Sequence, residues 1–264
     1  RGEGAWLIDP EGRRYLDGFS SLWVTVHGHR VPEIDQAVRA QLDRLAHTTY
    51  LGLTHEPGIA LAERLLATAP EGLTRVFYAG DGASAVEAAL KMAFQSAAQR
   101  GDQRPLYAHV AEGYHGDTLG AVSVGGIDLF HHTYRPILLD TLMVSSPGVR
   151  AAGQPPADRA AEVLAETREL LAREGHRVCA IVVEPLVQAA AGMLTHDPSF
   201  LRGMREAAGM SVKQVGEAIN LKDPTLLELV ENGKVGLPFE IILRLASVLG
   251  RNDPISFVMR FTRS

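Results

Sequence analysis

Gly80-Asp81-Gly82-Ala83-Ser84 stands between a β-branched and aromatic run, Val76-Phe77-Tyr78, and a stretch with Val86, Ala89, Leu90 and Ala93 at helical spacing. A strand, a glycine turn and a helix start, in that order, leave the N–H groups from Gly82 to Ala85 without intrahelical partners. With the positive end of the helix dipole, they suit a phosphate. The same residues also describe an ordinary glycine-turned strand–helix junction. A second group is Gly113-Tyr114-His115-Gly116-Asp117-Thr118, which follows the apolar run Leu106-Tyr107-Ala108-His109-Val110. An aromatic and a histidine between glycines at a strand end are placed to cover a flat ligand, and a surface turn with a half-buried tyrosine accounts for them equally. A third is Glu184-Pro185, ending the run Val178 to Val183. A carboxylate at the C-terminal end of a nearly all-apolar strand lies where α/β sheets bind ligands. His27 and His29 have no third ligand at a useful spacing, so no metal is expected.

The elements that would position these groups alternate. Trp6 to Asp17 predicts a hairpin around Pro10-Glu11-Gly12, and Ser20 to His29 reads as strand or loop. Ile34, Val38, Leu42 and Leu45 mark an amphipathic helix, Ile59 to Ala67 another, and Asp158 to Glu174 a third, after a Gly/Pro/Ala-rich loop from Gly148. Strands and helices alternating in this way predict an α/β fold with a mostly parallel sheet and flanking helices.

The bounds agree with such a fold. The 264 residues are 46% hydrophobic and 22% charged, enough for one large or two smaller domains. One cysteine, Cys179, excludes an internal disulfide framework and suits a reducing cytoplasm. No apolar run approaches the roughly 18 residues that span a bilayer, so no membrane partner is expected. The start, Arg1-Gly2-Glu3-Gly4, has neither Met nor a signal pattern, so the native N-terminus is expected upstream. Net charge is −5, but Ser199 to Ser264 holds nine Lys and Arg against seven Asp and Glu, a balance of +2. That leaves −7 on the first 198 residues, a hint of two parts with different partners.

From Phe200 the pattern changes to short helices. Phe200 to Ala207 is one, and Ser211-Val212-Lys213-Gln214 is a capping box that opens a second. Asp223-Pro224 opens a third, ended by Asn232-Gly233; Pro238 and Asp253-Pro254 open two more. The expectation is a small all-α bundle over 199–264, after an α/β domain over 1–198.

Five motifs of the first part occur in the order found in class III pyridoxal-phosphate aminotransferases. They are Gly4-to-Gly18, Ser20-to-His29, Asp81-to-Ala93, Gly113-to-Thr118 and Val182-to-Gln188. Gly4 to Arg205 resembles this family, and within it the branch that serves biotin synthesis by amino transfer to 8-amino-7-oxononanoate. The resemblance implies the large domain of fold-type-I aminotransferases, here incomplete, a pyridoxal 5'-phosphate (PLP) cofactor and a homodimer. It also implies that Gly82, Ala83 and Ser84 form the phosphate loop, and that Tyr114, with His115 beside it, stacks on the pyridine ring. Glu184 would lie near the cofactor, and Trp23 in the tract lining the substrate pocket. Two departures stand out: Gly82-Ala83 where the family often has Gly-Ser, and Leu22-Trp23 where it has paired tryptophans.

Transamination needs a lysine amine to hold the cofactor and move the proton, and a carboxylate on the pyridinium nitrogen. The family resemblance places both beyond the matching stretch. The chain has four lysines: Lys91, in the helix after the glycine turn, and Lys213, Lys222 and Lys234. Covalent cofactor attachment is therefore not expected, no residue is assigned as catalytic, and the chain alone is expected not to transaminate.

Leu201 to Leu221, then Val230-to-Lys234, then Pro238-to-Gly250 resemble the phage-repressor (Xre-like) helix-turn-helix family. The resemblance implies DNA as a partner, with the helix from Pro224 in the major groove and Lys213, Gln214 and Lys234 near phosphates. Lys222, Thr225 and Glu228 would complete the contact surface. That helix offers no basic residue, so a bundle for protein contact stays open beside DNA binding. Phe200 to Glu206 fits both families, as a deletion-fusion or an engineered chimera would. Three readings result: a non-enzymatic fusion with a DNA-binding module, a biotin-pathway aminotransferase active only when complemented by its missing half, and an inert chimera.

Overall fold

The computed structural model describes residues 1–68, 75–184 and 186–207. The described chain divides into two units, Arg1–Glu63 and a larger one from Arg64 onward.

The first unit opens with strands β1 (Gly2–Glu3), β2 (Trp6–Ile8) and β3 (Arg14–Leu16), an antiparallel sheet in the order β1-β2-β3. The predicted hairpin pairs Trp6 with Leu16 and Ile8 with Arg14. Its turn closes on Asp9, whose carboxylate accepts from the Arg13 backbone at 2.9 Å, while Gly12 takes the left-handed φ of +85°. A single turn follows, α1 (Ser20–Trp23), then α2 (Pro32–Arg44), and α3 (Glu56–Thr68) begins in this unit. Pro32 at the first helical position, Glu33 and Asp35 in the first turn and Arg44 in the last agree with the helix dipole and fix the limits of α2.

The second unit holds α4 (Gly82–Gln99), β4 (Leu106–Val110), α5 (Leu119–Ser123), α6 (Asp128–His131) and β5 (Thr141–Val144). It continues with α7 (Pro156–Glu174), β6 (Val178–Val182), the hairpin β7 (Val187–Gln188) and β8 (Leu194–Thr195), and α8 (Ser199–Ala207). The main sheet runs β5-β4-β6, all parallel, with Ala108 beside Leu142 and Ile181. Every residue of β4 is buried, which is why that run is apolar apart from His109. Tyr107 and Val110 point to opposite faces, three residues apart on a strand. Val110 joins Val144, Val163, Leu164 and Phe200 in the core with α7 and α8, whereas Tyr107 joins Val86, Leu90, Ala121 and Val124 in the core with α4 and α5. Helices therefore cover both faces of a parallel sheet, the predicted α/β architecture.

One expectation is corrected. Val76-Phe77-Tyr78, predicted as the strand leading into α4, is irregular and belongs to none of the described sheets. A strand exists through its partner, and no described segment pairs with Val76-Phe77-Tyr78. Conversely, β5 carries too short an apolar run to have been legible. No described helix is long and apolar enough to cross a membrane. The short helices expected after residue 207 lie outside the described residues.

Candidate functional site at the start of α4

Asp81 is the N-cap of α4. Extended at φ −159°, it turns its carboxylate back to accept from the Ser84 N–H at 2.7 Å and the Ser84 hydroxyl at 2.8 Å. The Ser84 amide, then its hydroxyl, hold the Asp81 carboxyl below the usual carboxylate range. A side chain at Gly82 would meet nothing within 4 Å, so the space in front of the helix is open.

The loop after β4 is laid onto this helix start. Gly116 sits at φ +111°, and any Cβ there would collide with the Cβ of Ala83. Only glycine satisfies both the backbone angle and the contact. A second tie runs from the Gly120 N–H to the Glu87 carboxylate of α4 at 2.8 Å.

Tyr114 lies two residues before Gly116 and is held at three points. Its N–H donates to Glu184 Oε1 at 2.7 Å, and its hydroxyl to Asp117 Oδ2 at 2.8 Å. The His131 ring runs parallel to the Tyr114 ring, 9° between planes and 6.4 Å between centres, and Phe130 stands edge-on at 6.2 Å. Glu184, just past β6, gives its other oxygen to the Ala189 N–H at 3.1 Å, and its carbonyl lies 3.1 Å from His196 Nε2. Burial lowers the pKa of both His131 and His196. The three groups singled out in the sequence, at 82–84, 114 and 184, thus converge. His115 is placed differently, with its ring only 1% exposed in the interior.

The first unit has a site of its own kind. Ser20, Ser21 and Leu22 take φ of +56°, +48° and +61°, three successive non-glycine residues in the left-handed region. Asp17, 8% exposed, holds them: its carboxylate accepts from the Ser21 N–H at 2.7 Å, the Ser21 hydroxyl at 2.8 Å and His29 Nε2 at 2.7 Å. The Ser21 bonds, then His29, keep Asp17 ionised to lower pH than usual. Trp23 ends this turn. His29, for which the sequence offered no role, serves Asp17.

Sequence reasoning missed Asp17, Asp117 and His131. Their signals were local: Asp17 four residues before Ser21, and Asp117 three after Tyr114. For His131 nothing in the pattern pointed to Tyr114. Among the described residues no cluster of histidine, cysteine and carboxylates fits a metal. Lys213, Gln214, Lys222, Thr225, Glu228 and Lys234 lie outside the described residues.

Residues 1–210 match the family model for aminotransferase class-III, and residues 199–254 match a helix-turn-helix domain. The chain is 52% identical over 212 residues to the adenosylmethionine-8-amino-7-oxononanoate aminotransferase of Nitratidesulfovibrio vulgaris, covering 77% of this chain and 39% of that protein. It is 45% identical over 210 residues to the same-named protein of Aquifex aeolicus, covering 78% and 46%. The chain therefore spans about half the length of the curated relatives it matches. The crystal structure of the Methanocaldococcus jannaschii protein of that name superposes with a TM-score of 0.70 at 40% identity, over 79% of this chain and 45% of that one. An amine transaminase from an uncultivated Pseudomonas species, in its PLP-bound internal aldimine form, superposes at 0.71 with 32% identity, covering 79% and 48%.

Proposed function

Over residues 1–210 the chain belongs to the class-III aminotransferase family, and on that premise we propose that its second unit holds part of a PLP site. The residues fit the group. Open space stands beside Gly82 at the N-terminus of α4, where the positive end of the helix dipole suits a phosphate, while Asp81 already takes the Ser84 and Ala85 amides. Tyr114 offers a ring fixed at three points, and the Glu184 carboxylate secures its backbone. The observation that carries the reading is the pairing of Gly116 with Ala83, which seats the aromatic loop on the helix start.

Bound PLP supplies an electron sink for charge that develops beside a substrate amine. This chain's own residues bind and orient. Gly82, Ala83 and Ser84 hold the phosphate by backbone N–H groups, Tyr114 covers the ring, and Glu184 keeps Tyr114 in place. The Asp81 carboxylate already engages the Ser84 amide and draws on the Ala83 backbone as well, so the anion relies first on Gly82 and competes with Asp81 for the other two. His115 supports the loop from inside; the assignment of Trp23 to a substrate tract rests on the family resemblance alone. Of the four lysines, Lys91 lies on α4 and the other three follow residue 212. The reading is therefore binding without a covalent lysine link, with no transamination by this stretch alone. Amino transfer to 8-amino-7-oxononanoate would need the rest of the family's fold from elsewhere. The proposed setting is the cytoplasm and the proposed assembly a homodimer.

The test is a titration of the purified chain with PLP and with its amine form, pyridoxamine 5'-phosphate (PMP), followed by absorbance and quenching of intrinsic fluorescence. Saturable binding of both, with no adduct after borohydride, is expected. A trapped lysine adduct overturns the non-covalent part, and no binding of either ligand overturns the whole.

A second reading rests on the helix-turn-helix match over 199–254 and the +2 balance from Ser199. It makes 199–264 an Xre-like DNA-binding module joined to the 1–198 part by a fusion, with Lys213, Gln214, Lys222, Thr225, Glu228 and Lys234 toward DNA. Duplex DNA binding by the full chain should weaken steeply with salt, and Lys234→Ala should reduce that slope by about 1. Salt-independent or absent binding leaves the module for protein contact.

A further inference from the structure

Glu184 reaches Tyr114 from the chain just past β6, and that stretch is gripped by one buried histidine. His196 follows β8 and is 6% exposed. Its ring Nε2 lies 3.1 Å from the Glu184 carbonyl, and its backbone N–H donates to the Leu186 carbonyl at 3.0 Å. Leu186 has the left-handed φ of +65°. That conformation costs a leucine about 1–2 kcal/mol and persists only where the surroundings over-determine it. The two contacts from His196, with the pairing of Val187 and Thr195 next to them, supply that constraint. A carbonyl only accepts, so the Glu184 contact requires the ring proton on Nε2. The competing contact, from Nδ1 to the Asp197 carbonyl, is longer at 3.4 Å, and that carbonyl already accepts the Phe200 N–H at 3.0 Å. A neutral ring has one proton, and the shorter bond takes it. Phe200, edge-on at 80° and 5.3 Å between centres, sets the ring plane.

We infer that His196 is a positioning residue for the cofactor site, acting through Glu184. Its Nε2–H fixes the Glu184 backbone, and the fixed backbone aims the carboxylate. One carboxylate oxygen takes the Tyr114 N–H at 2.7 Å and the other the Ala189 N–H at 3.1 Å. The physical reason is entropy: a glutamate is a long, flexible side chain, and two bonds to separate amides survive only while its backbone stays in place. The contacts therefore act in series. Phe200 on α8 sets the His196 ring, His196 sets Glu184, and Glu184 sets the backbone of Tyr114. The bearing on the cofactor rests on the PLP reading above; the hold on Glu184 does not.

The experiment uses the full chain. Long-range 1H–15N spectra of 15N-histidine protein at pH 7, assigned through His196→Gln, should read His196 as a neutral Nε2–H ring; an Nδ1–H ring overturns the contact. His196→Phe keeps an aromatic ring for Phe200 but removes the donor, whereas His196→Gln keeps a donor at about the reach of Nε2. In the Phe variant, PMP affinity should fall and exchange of the Tyr114 amide with deuterium should quicken, each roughly fivefold, the worth of one hydrogen bond. The Gln variant should stay within about twofold of wild type in both. In a Glu184→Ala background, His196→Phe should add neither effect, whereas a general loss of stability would add in full. Equal losses in both backgrounds, or a Gln variant as weak as the Phe variant, overturn the inference. If wild type fails to bind PMP, the cofactor reading fails, while the ring spectra and Tyr114 exchange still decide whether His196 holds Glu184.

Discussion

Ala83 and Gly116 touch so closely that the loop carrying Tyr114 reaches the first turn of α4 only because residue 116 has no side chain. Gly116→Ala adds a clash to the strain of φ +111°. It should cost about 2–4 kcal/mol by urea denaturation. Gly153→Ala is the control: φ is +79° there, with nothing within 4 Å of the added carbon. It should cost only about 1–2 kcal/mol, the left-handed backbone penalty alone. Equal costs would mean that the loop relaxes away from the helix.

Glu184 ties two loops by accepting from Tyr114 and Ala189. Glu184→Gln keeps an acceptor and should lose about 1 kcal/mol; Glu184→Ala leaves two part-buried N–H groups unpaired and should lose about 2–3 kcal/mol. The same order, wild type tighter than Gln and Gln tighter than Ala, is expected for PMP affinity. An alanine variant that binds as wild type does would remove Glu184 from the site.

Burial lowers the His109 pKa from 6.5 to about 4. Below pH 6.5 the unfolded chain takes up a proton that the folded chain refuses. The His109 contribution is therefore complete above that pH and is lost progressively toward pH 4, by as much as about 3 kcal/mol. His131 and His196 shift in the same direction through burial and steepen the fall. Asp17 and Asp81, with lowered pKa values, act only below the ordinary carboxylate range. Denaturation midpoints between pH 7 and 5 should thus fall with pH, and His109→Phe should flatten the curve. An unchanged slope would mean that His109 titrates normally.

Asp17 holds Ser21 in its left-handed turn through two oxygens. Asp17→Asn removes the charge and one acceptor, so exchange of the Ser21 amide with deuterium should quicken roughly tenfold, the worth of one hydrogen bond to a charged group. Unchanged exchange would show that the turn stands without the carboxylate.

Phe200 is 1% exposed and shares a core with Val110, Val163 and Leu164, while Leu164 leaves no room for a side chain on Gly203. Phe200→Ala should cost about 3–5 kcal/mol. The segment 199–210 is common to both family matches, so this variant also reports which body α8 stabilises. A loss seen in the main melting transition assigns it to the α/β unit; no loss would free it for the C-terminal module.

The amino-acid order by itself determined the hairpin at Trp6–Leu16, the helices α2, α3, α4 and α7, the strands β4 and β6, and hence a parallel α/β sheet. Periodicity and glycine placement are local, so they survive without knowledge of neighbours. The residues at 82–84, 114 and 184 were legible for the same reason, each standing at the end of a strand or the start of a helix. Tertiary structure decided the rest. Val76 to Tyr78 has strand composition but no place in a described sheet, since pairing is a property of two segments and no described segment pairs with it. Asp17 became a clamp, and His131 the parallel neighbour of Tyr114, through contacts that spacing does not encode. His131 accepts from the Ile127 N–H and His109 stands beside the Thr141 hydroxyl, contacts of which the neighbouring sequence carries no sign. A hydrogen-bond chain is closed by whichever groups the fold brings within about 3 Å, and only the folded chain sets that distance.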